Sequence, residues 1–125
     1  MRRDLAVMIG AGQTVATFSY DATAPYVVTM RVVDGAGPVT WLLGREVLAE
    51  ALVTGRAGVG DVRVTARGDL VVLGLSTPDG VGTAVLRRDD VAVLVALTHQ
   101  IVRPGAESDA LDWSDLAQFP GVSSS

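Results

Sequence analysis

The first half of the chain shows a β-hairpin pattern that changes abruptly to a helical one. Residues 26–33 (YVVTMRVV) are rich in β-branched side chains and lie between Pro25 and the turn signal Asp34-Gly35. The segment VTWLL follows closely enough to pair with them as a hairpin around DGAGP. The pattern therefore predicts two antiparallel strands here.

The next segment, GREVLAEAL, has a different period. Its apolar side chains recur at i, i+1, i+4 and i+5, so they share one face of a helix: Val47, Leu48, Ala51 and Leu52. Gly55 is the predicted end of this helix, because glycine readily adopts the left-handed conformation found after helix C-termini. Trp41 precedes the change and is predicted to be a core residue at this strand-to-helix corner.

The second half shows a similar order of elements. GDVRVTAR alternates between apolar and polar side chains, as in a sheet with one face in water. DLVVLGLST is apolar on both faces, and VGTAVL follows the turn signal Asp79-Gly80 as a further strand. Asp89 or Asp90 is the predicted N-cap of the segment VAVLVALTHQIV.

That last segment, residues 91–102, is ambiguous. Three valines at alternate positions suit a strand, whereas its length, its acidic start and the stop at Pro104-Gly105 favour a helix. Because such a helix would be apolar nearly all round, we expect it to be covered on more than one side.

The two turn signals lie 45 residues apart, and each is followed by a short strand and then a helical pattern. We infer two strand-hairpin-helix repeats, residues 26–53 and 71–98, forming an antiparallel sheet covered by helices on one side. The predicted fold class is α+β. A single domain over residues 1–119 and a flexible C-terminal tail over residues 120–125 are expected.

The segment GAESDALDWSDLAQF lies outside the two repeats and combines four carboxylates with spaced apolar side chains. Segments that are not committed to a core are freer to contact partners, so we predict a partner-binding surface here. Its candidate residues are Leu111, Trp113, Leu116 and Phe119. The alternative is a short helix that packs across the sheet or against a neighbouring subunit.

Composition limits the classes of function. The 125 residues include no cysteine, which excludes disulfides and thiolate metal sites, and all ten basic residues are arginine. The net charge of −4 differs from that of nucleic-acid-binding domains, which usually present a basic stripe. The chain does not start like a signal peptide, and its longest apolar run, residues 91–97, is too short to span a membrane. We therefore expect a cytoplasmic protein without membrane insertion.

No motif points to catalysis, a metal or a cofactor. GAGQT (10–14) and GRAGVG (55–60) look superficially like phosphate loops, but a P-loop needs a lysine, so turns are the favoured interpretation. His99 is the only histidine and lacks the partners of a catalytic triad or a zinc site, which suggests a polar position near a helix end. Asp89-Asp90 is interpreted as charge at a helix N-terminus. The sequence predicts no enzyme.

Three aromatic residues fall on or beside the predicted strands: Tyr20, Tyr26 and Trp41. Such positions can stack against single-stranded nucleic acid, but that function also needs a basic groove. The one adjacent basic pair after residue 3, Arg87-Arg88, is followed directly by two aspartates. Core packing is therefore the favoured interpretation of the three aromatics.

Five short stretches, in order and with matching spacing, resemble signatures of the SsgA-like proteins of sporulating actinomycetes. YDATAPYVV is similar to the family's "YD…DPYAV", and VTWLLGREVLAEAL to its "V-W-FARDLL-G". GDVRV, LSTPDG and T…VRPGAE match later signatures, so the resemblance runs from Tyr20 to Glu107. The chain departs from the pattern at Ala24, where the family has aspartate, at Leu43, where it has an aromatic residue, and in its shorter first strand.

The resemblance implies a non-enzymatic regulator of sporulation-specific cell division that acts through protein–protein contacts. Its expected roles are septum-site selection, recruitment of the tubulin-like division protein FtsZ, or cell-wall remodelling. FtsZ or other SsgA-like proteins are the expected partners, and recruitment to the division septum is the expected location. The resemblance also implies a Whirly-like fold assembled as a homotrimer. The alternative function is a single-stranded nucleic-acid-binding module of Whirly-like fold, which the net charge disfavours.

Overall fold

The computed structural model describes residues 1–10, 12–34, 37–59, 62–77 and 80–107. Within these residues, eight strands and two helices follow one another in the order strand four times, helix, strand four times, helix. They are β1 Arg2–Ile9, β2 Gly12–Ser19, β3 Val27–Asp34, β4 Gly37–Gly44, α1 Arg45–Thr54, β5 Arg56–Val59, β6 Val62–Arg67, β7 Leu70–Thr77, β8 Gly80–Arg87 and α2 Arg88–Ile101.

All eight strands form one antiparallel sheet in the order β4-β3-β2-β1-β8-β7-β6-β5. Within each group of four strands, successive strands pair at four to eight positions, as β1 and β2 do from Arg2↔Ser19 to Ile9↔Gly12. The junction between the first four strands and the last four is much shorter. Among the described residues, β1 and β8 pair at Met8↔Val85 and Ile9↔Ala84 alone.

The core lies on one face of this sheet, which we call the inner face. Because strand side chains alternate between faces, the buried strand residues occupy every second position. They are Leu5, Val7, Ala16, Phe18, Val28, Met30, Val32, Leu43, Val64, Ala66, Val71, Leu73, Leu75, Ala84 and Leu86. The opposite, outer face carries the alternate residues of every strand.

The two helices pack against the inner side of the sheet and against each other. Helix α1 contacts β4 and β5, the two edge strands of the sheet, and also β6, while α2 contacts β7, β8 and α1. The apolar stripe predicted for α1 is confirmed, since Val47, Leu48 and Ala51 are buried. The segment 91–102, which could have been a strand or a helix, is helical as favoured, and its buried residues include Val91, Leu94 and Val95.

A glycine lies at each end of α1. Gly44 precedes α1 in an extended conformation, and a Cβ there would lie 3.0 Å from Val47 Cγ2, closer than side chains normally approach. Gly55 ends the helix with φ at 91°, and its N–H donates to the Ala51 carbonyl at 2.8 Å. The predicted helix end is therefore confirmed, because a residue with a Cβ is strained in this left-handed conformation.

Three local predictions were wrong. GRAGVG is not a turn throughout, because Arg56–Val59 forms β5, and the last three residues of GAGQT begin β2. Neither Asp89 nor Asp90 caps α2: both lie in its first turn, and the cap residue is Arg87, without a side-chain capping bond. Each helix follows four strands rather than a strand and a hairpin, because β1 in the first half and β5 in the second each add a strand. The antiparallel α+β architecture itself is confirmed.

Candidate functional site

Arg45, the first residue of α1, is completely buried although it is charged. Its position follows from the corner between β4 and α1. The backbone N–H of Arg45 continues the strand ladder by donating to the Tyr26 carbonyl at 2.9 Å, so its side chain turns inward where the helix begins. A buried guanidinium is stable only when its donors find acceptors, which makes its surroundings informative.

The guanidinium connects three separate parts of the chain. Its Nη1 donates to the Tyr20 hydroxyl at 2.9 Å, to the Val102 carbonyl at 2.5 Å and to the Thr98 carbonyl at 3.3 Å. Its Nη2 donates to Glu107 Oε1 at 2.5 Å. The residue after β2, the start of α1, and the end of α2 with the chain that follows it are thus held together at one point, which we call the Arg45 cluster.

The tyrosine of this cluster is itself fixed. Tyr20 is buried, its hydroxyl donates to the Pro25 carbonyl at 2.8 Å, and the Arg45 guanidinium lies 5.6 Å from its ring centroid. Burial, partly offset by the positive charge of Arg45, raises the pKa of Tyr20 above its ordinary value. The hydroxyl therefore stays protonated at neutral pH and can donate and accept at once.

Glu107 is the carboxylate that balances Arg45. It is buried, and it is the last residue that the structure describes. A hydrogen bond from its own backbone N–H and the one from Arg45 hold the pKa of Glu107 below its ordinary value. The pair is therefore ionised at neutral pH, and it fixes the point from which the chain continues towards residues 108–125.

The hydrogen bonds of the Arg45 cluster hold distant parts of the chain together. Its polar groups donate to or accept from one another, and the chain around it offers no cysteine. Arg45 Nε has no hydrogen-bond partner in the described part of the chain, and neither has the buried Nε2 of His99. Among the described residues, no group of three or more His, Asp or Glu side chains is placed to hold a metal ion.

Residues 14–107 match the model of the family described as Streptomyces sporulation and cell division protein, SsgA. The chain belongs to the SsgA family. The match begins in β2 and ends at Glu107, so it covers all of the Arg45 cluster. The stretches of this chain that carry Tyr20, Arg45 and Glu107 meet in this cluster, although they are far apart in sequence.

Curated relatives in the family are sporulation-specific cell division proteins. A protein of that description from Frankia casuarinae is 33% identical over 103 residues, covering 79% of this chain and 70% of the relative. SsgB of Salinispora tropica is 38% identical over 104 residues, covering 78% and 72% of the two chains.

Two solved structures of the SsgA family share the fold. One, of SsgB from Streptomyces coelicolor, is described in relation to mutations that correlate with longitudinal cell division during sporulation. It superimposes with a TM-score of 0.80 and 28% identity, over 88% of this chain and 94% of that one. The SsgA-like protein of Thermobifida fusca gives a TM-score of 0.81 at 24% identity, over 94% and 93% of the chains, and shows the fold alone.

The structure bears differently on the individual residues discussed in the sequence analysis. Leu111, Trp113, Leu116 and Phe119 all lie outside the described residues. Trp41 packs against the core but is only partly buried, three residues before the corner. Tyr20 is buried as expected, whereas core packing is the wrong interpretation of Tyr26, which precedes β3 and is 48% exposed. His99 is polar and lies in the last turn of α2, as predicted.

Sequence reasoning missed Arg45. It treated the residue as an ordinary arginine at a helix start, because its partners lie 25 to 62 residues away in sequence. One signal was available: Tyr20, Arg45 and Glu107 all fall within the stretches that resemble the family signatures.

In the part of the chain that the structure describes, neither helix is long and apolar enough to cross a membrane.

Proposed function

We propose that this protein is a non-enzymatic adaptor in sporulation-specific cell division that works by binding other division proteins. Membership of the SsgA family over most of the chain is the observation that carries this proposal. FtsZ or other SsgA-like proteins are the partners to test first. Septum-site selection, FtsZ recruitment or cell-wall remodelling would then be its contribution, exerted at the septum.

The surface of the protein supports an adaptor role. Five large apolar side chains on the outer face of the sheet are between 47% and 64% exposed: Met8, Val15, Val33, Leu42 and Leu70. Exposed apolar side chains that collect on one face of a soluble protein favour contact with another protein. An adaptor needs such surfaces more than it needs a pocket.

We also propose that the chain assembles as a homotrimer with a duplicated, Whirly-like fold. The element order, four strands and a helix occurring twice, is consistent with duplication. Helix α2 was expected to be covered on more than one side, yet Val93 and Ile101 are 44% and 43% exposed in the single chain. A neighbouring subunit would cover them. Light scattering coupled to gel filtration tests this, and a monomer at tens of micromolar would contradict it.

Binding to purified FtsZ is the direct test of the adaptor proposal. Co-sedimentation with FtsZ polymers should carry this protein into the pellet, and a second SsgA-like protein should be tested in parallel. Specific single-stranded DNA or RNA binding is not expected, so fluorescence anisotropy should show at most the 10⁻⁴ to 10⁻⁶ M affinity of non-specific contacts. Salt-resistant nanomolar binding to an oligonucleotide, without binding to either protein, would contradict the adaptor proposal.

A further inference from the structure

The outer face of the last four strands carries four arginines. They are Arg56 on β5, Arg63 and Arg67 on β6, and Arg87 on β8. Arg63, Thr65 and Arg67 alternate with buried residues of β6 and therefore face away from the core. Arg56 pairs with Thr65, and Arg87 shares the partner Leu70 with Arg67, so these two arginines lie on the same side of the sheet. We call this surface the arginine face.

These four arginines are exposed and unused by the fold. Within the described residues, none of their side chains makes a hydrogen bond or an ion pair. Arg45 and Arg88 behave differently, because Arg45 is buried in its cluster and Arg88 donates to the carbonyls of Leu52 and Gly68. The arginine face is thus not explained by stability.

The charge of this surface is opposite to that of the whole chain. The net charge is −4, yet the described residues of β5 to β8 include no aspartate or glutamate. The neighbouring described carboxylates are Asp69, in the turn between β6 and β7, and the pair in the first turn of α2. Asp61 and Asp79 lie outside the described residues.

The surface around Arg63 is open. Its cross-strand neighbours on both sides are glycines, Gly58 on β5 and Gly74 on β7. Because these neighbours have no side chain, the stem of Arg63 is not covered from either side: even a Cβ at Gly58 or Gly74 would lie 3.6 Å from it, at ordinary contact distance. A cleft of about 610 Å³ lies here, lined by Arg56, Gly58, Arg63 and Thr65 among others.

We infer that the arginine face binds an acidic, extended peptide segment of a partner protein. Guanidinium groups bind carboxylates through two parallel hydrogen bonds, which gives both strength and geometry. Arg63 and Arg67 are four residues apart on one strand, about 13 Å, and Arg67 and Arg87 lie two strand spacings apart, about 10 Å. Carboxylates at alternate positions of an extended peptide, about 7 Å apart, can reach this set.

A nucleic acid fits this surface less well. Proteins that bind single strands combine positive charge with aromatic side chains on which the bases stack. The described residues of β5 to β8 contain no aromatic side chain. The arginine face offers charge without stacking, which matches carboxylates on a peptide.

A peptide-binding assay with charge-matched variants tests this inference. The probes are a labelled twelve-residue Glu-Thr repeat, a Gln-Thr repeat of the same length, and an oligo-dT. Arg56→Gln/Arg63→Gln removes two arginines from the arginine face. Arg2→Gln/Arg31→Gln is the control, because it removes the same charge from exposed arginines of β1 and β3.

Anisotropy should show that the Glu-Thr peptide binds the natural protein and the Gln-Thr peptide does not. The Arg56→Gln/Arg63→Gln variant should bind about tenfold more weakly, and the Arg2→Gln/Arg31→Gln variant within about twofold of the natural protein. Arg56→Lys/Arg63→Lys should bind between the two, because it keeps the charge and loses the paired hydrogen bonds. Thermal melting should be alike for all variants, since the replaced side chains are exposed.

If both glutamine double variants bound the Glu-Thr peptide equally weakly, the inference would be overturned, because net charge alone would then explain the loss of affinity. Tighter binding of oligo-dT than of the Glu-Thr peptide, lost in the Arg56→Gln/Arg63→Gln variant, would also overturn it in favour of nucleic acid. The inference rests on the adaptor function, so each variant is also tested for co-sedimentation with FtsZ. Retained co-sedimentation without peptide binding refutes the arginine face alone, whereas peptide binding without any protein partner refutes the adaptor function.

Discussion

Replacing Arg45 with methionine should destabilise the protein strongly. Methionine fills a similar volume without a charge, so the change removes the hydrogen bonds to Tyr20, to Glu107 and to the carbonyls at the end of α2 and just after it, with little loss of packing. Removing one partner of a buried ion pair typically costs about 3–5 kcal/mol. We expect the lower end, about 3 kcal/mol, because the chain carrying Glu107 can move outward and rehydrate its carboxylate.

Urea unfolding followed by circular dichroism measures this loss. A decrease of about 3 kcal/mol corresponds to a fall in Tm on the order of 10 °C for a domain of this size. Arg31→Met is the matched control: Arg31 is exposed on β3, so its replacement should change stability by less than about 0.5 kcal/mol.

The double variant Arg45→Met/Glu107→Gln separates two explanations. If the ion pair alone matters, removing both charges should restore most of the stability, since replaced buried pairs are often neutral. We expect only partial recovery, because the Tyr20 hydroxyl and the Val102 carbonyl still lack their donor. A loss below about 1 kcal/mol for Arg45→Met would refute the structural role assigned to this cluster.

Four further predictions follow from the same contacts and from the sequence. The pKa of Glu107 is lower in the folded protein than in the unfolded chain, so its contribution to stability is present above the ordinary carboxyl pKa and is lost as the pH falls through the folded value. In an acid titration, the Glu107→Gln variant should therefore lose less free energy of unfolding than the natural protein does. The pKa of Tyr20 is raised, so its contribution is present below the ordinary tyrosine pKa and lost as the pH rises through the folded value, and Tyr20→Phe should make alkaline unfolding less steep. Gly55→Ala should lower the free energy of unfolding by about 1–2 kcal/mol in a urea titration, because alanine is strained at a φ of 91°, whereas an exposed alanine introduced at Gln100 should not. Trp113→Ala should weaken partner binding by about 2 kcal/mol or more with an unchanged Tm if the C-terminal segment is a binding surface; unfolding or dissociation of the oligomer, with normal binding by the remaining folded fraction, would make it structural instead.

Strand and helix types could be predicted where the local pattern is strong. The alternation in GDVRVTAR and the valine-rich strand β3 reflect burial of one side of each strand, which the sequence records directly. β5 was missed because glycines at Gly55 and Gly58 resemble a turn, while pairing with β6 makes the segment a strand. The cap of α2 was misplaced because two aspartates are favourable in a first turn as well as at a cap.

The two charged sites could not be predicted from local patterns. Arg45 is buried by contacts with residues that only the folded sheet brings near, and nothing in GREVLAEAL separates it from an exposed arginine. The arginine face was hidden by the net charge, because a sum over the chain says nothing about which face of a sheet holds each sign. Pairing register was needed to collect Arg56, Arg63, Arg67 and Arg87 on one surface.

The short ladder between β1 and β8 divides the sheet mechanically. Each group of four strands is tied internally by ladders of four to eight paired positions, whereas the junction between them has two among the described residues, Met8↔Val85 and Ile9↔Ala84. Small rotations are cheapest where the fewest bonds resist them, so the junction can act as a hinge and its amides should exchange with solvent sooner than those inside either group. A partner that spans both groups on the outer face would then sense the curvature of the sheet, and binding it would select one curvature from those the hinge allows.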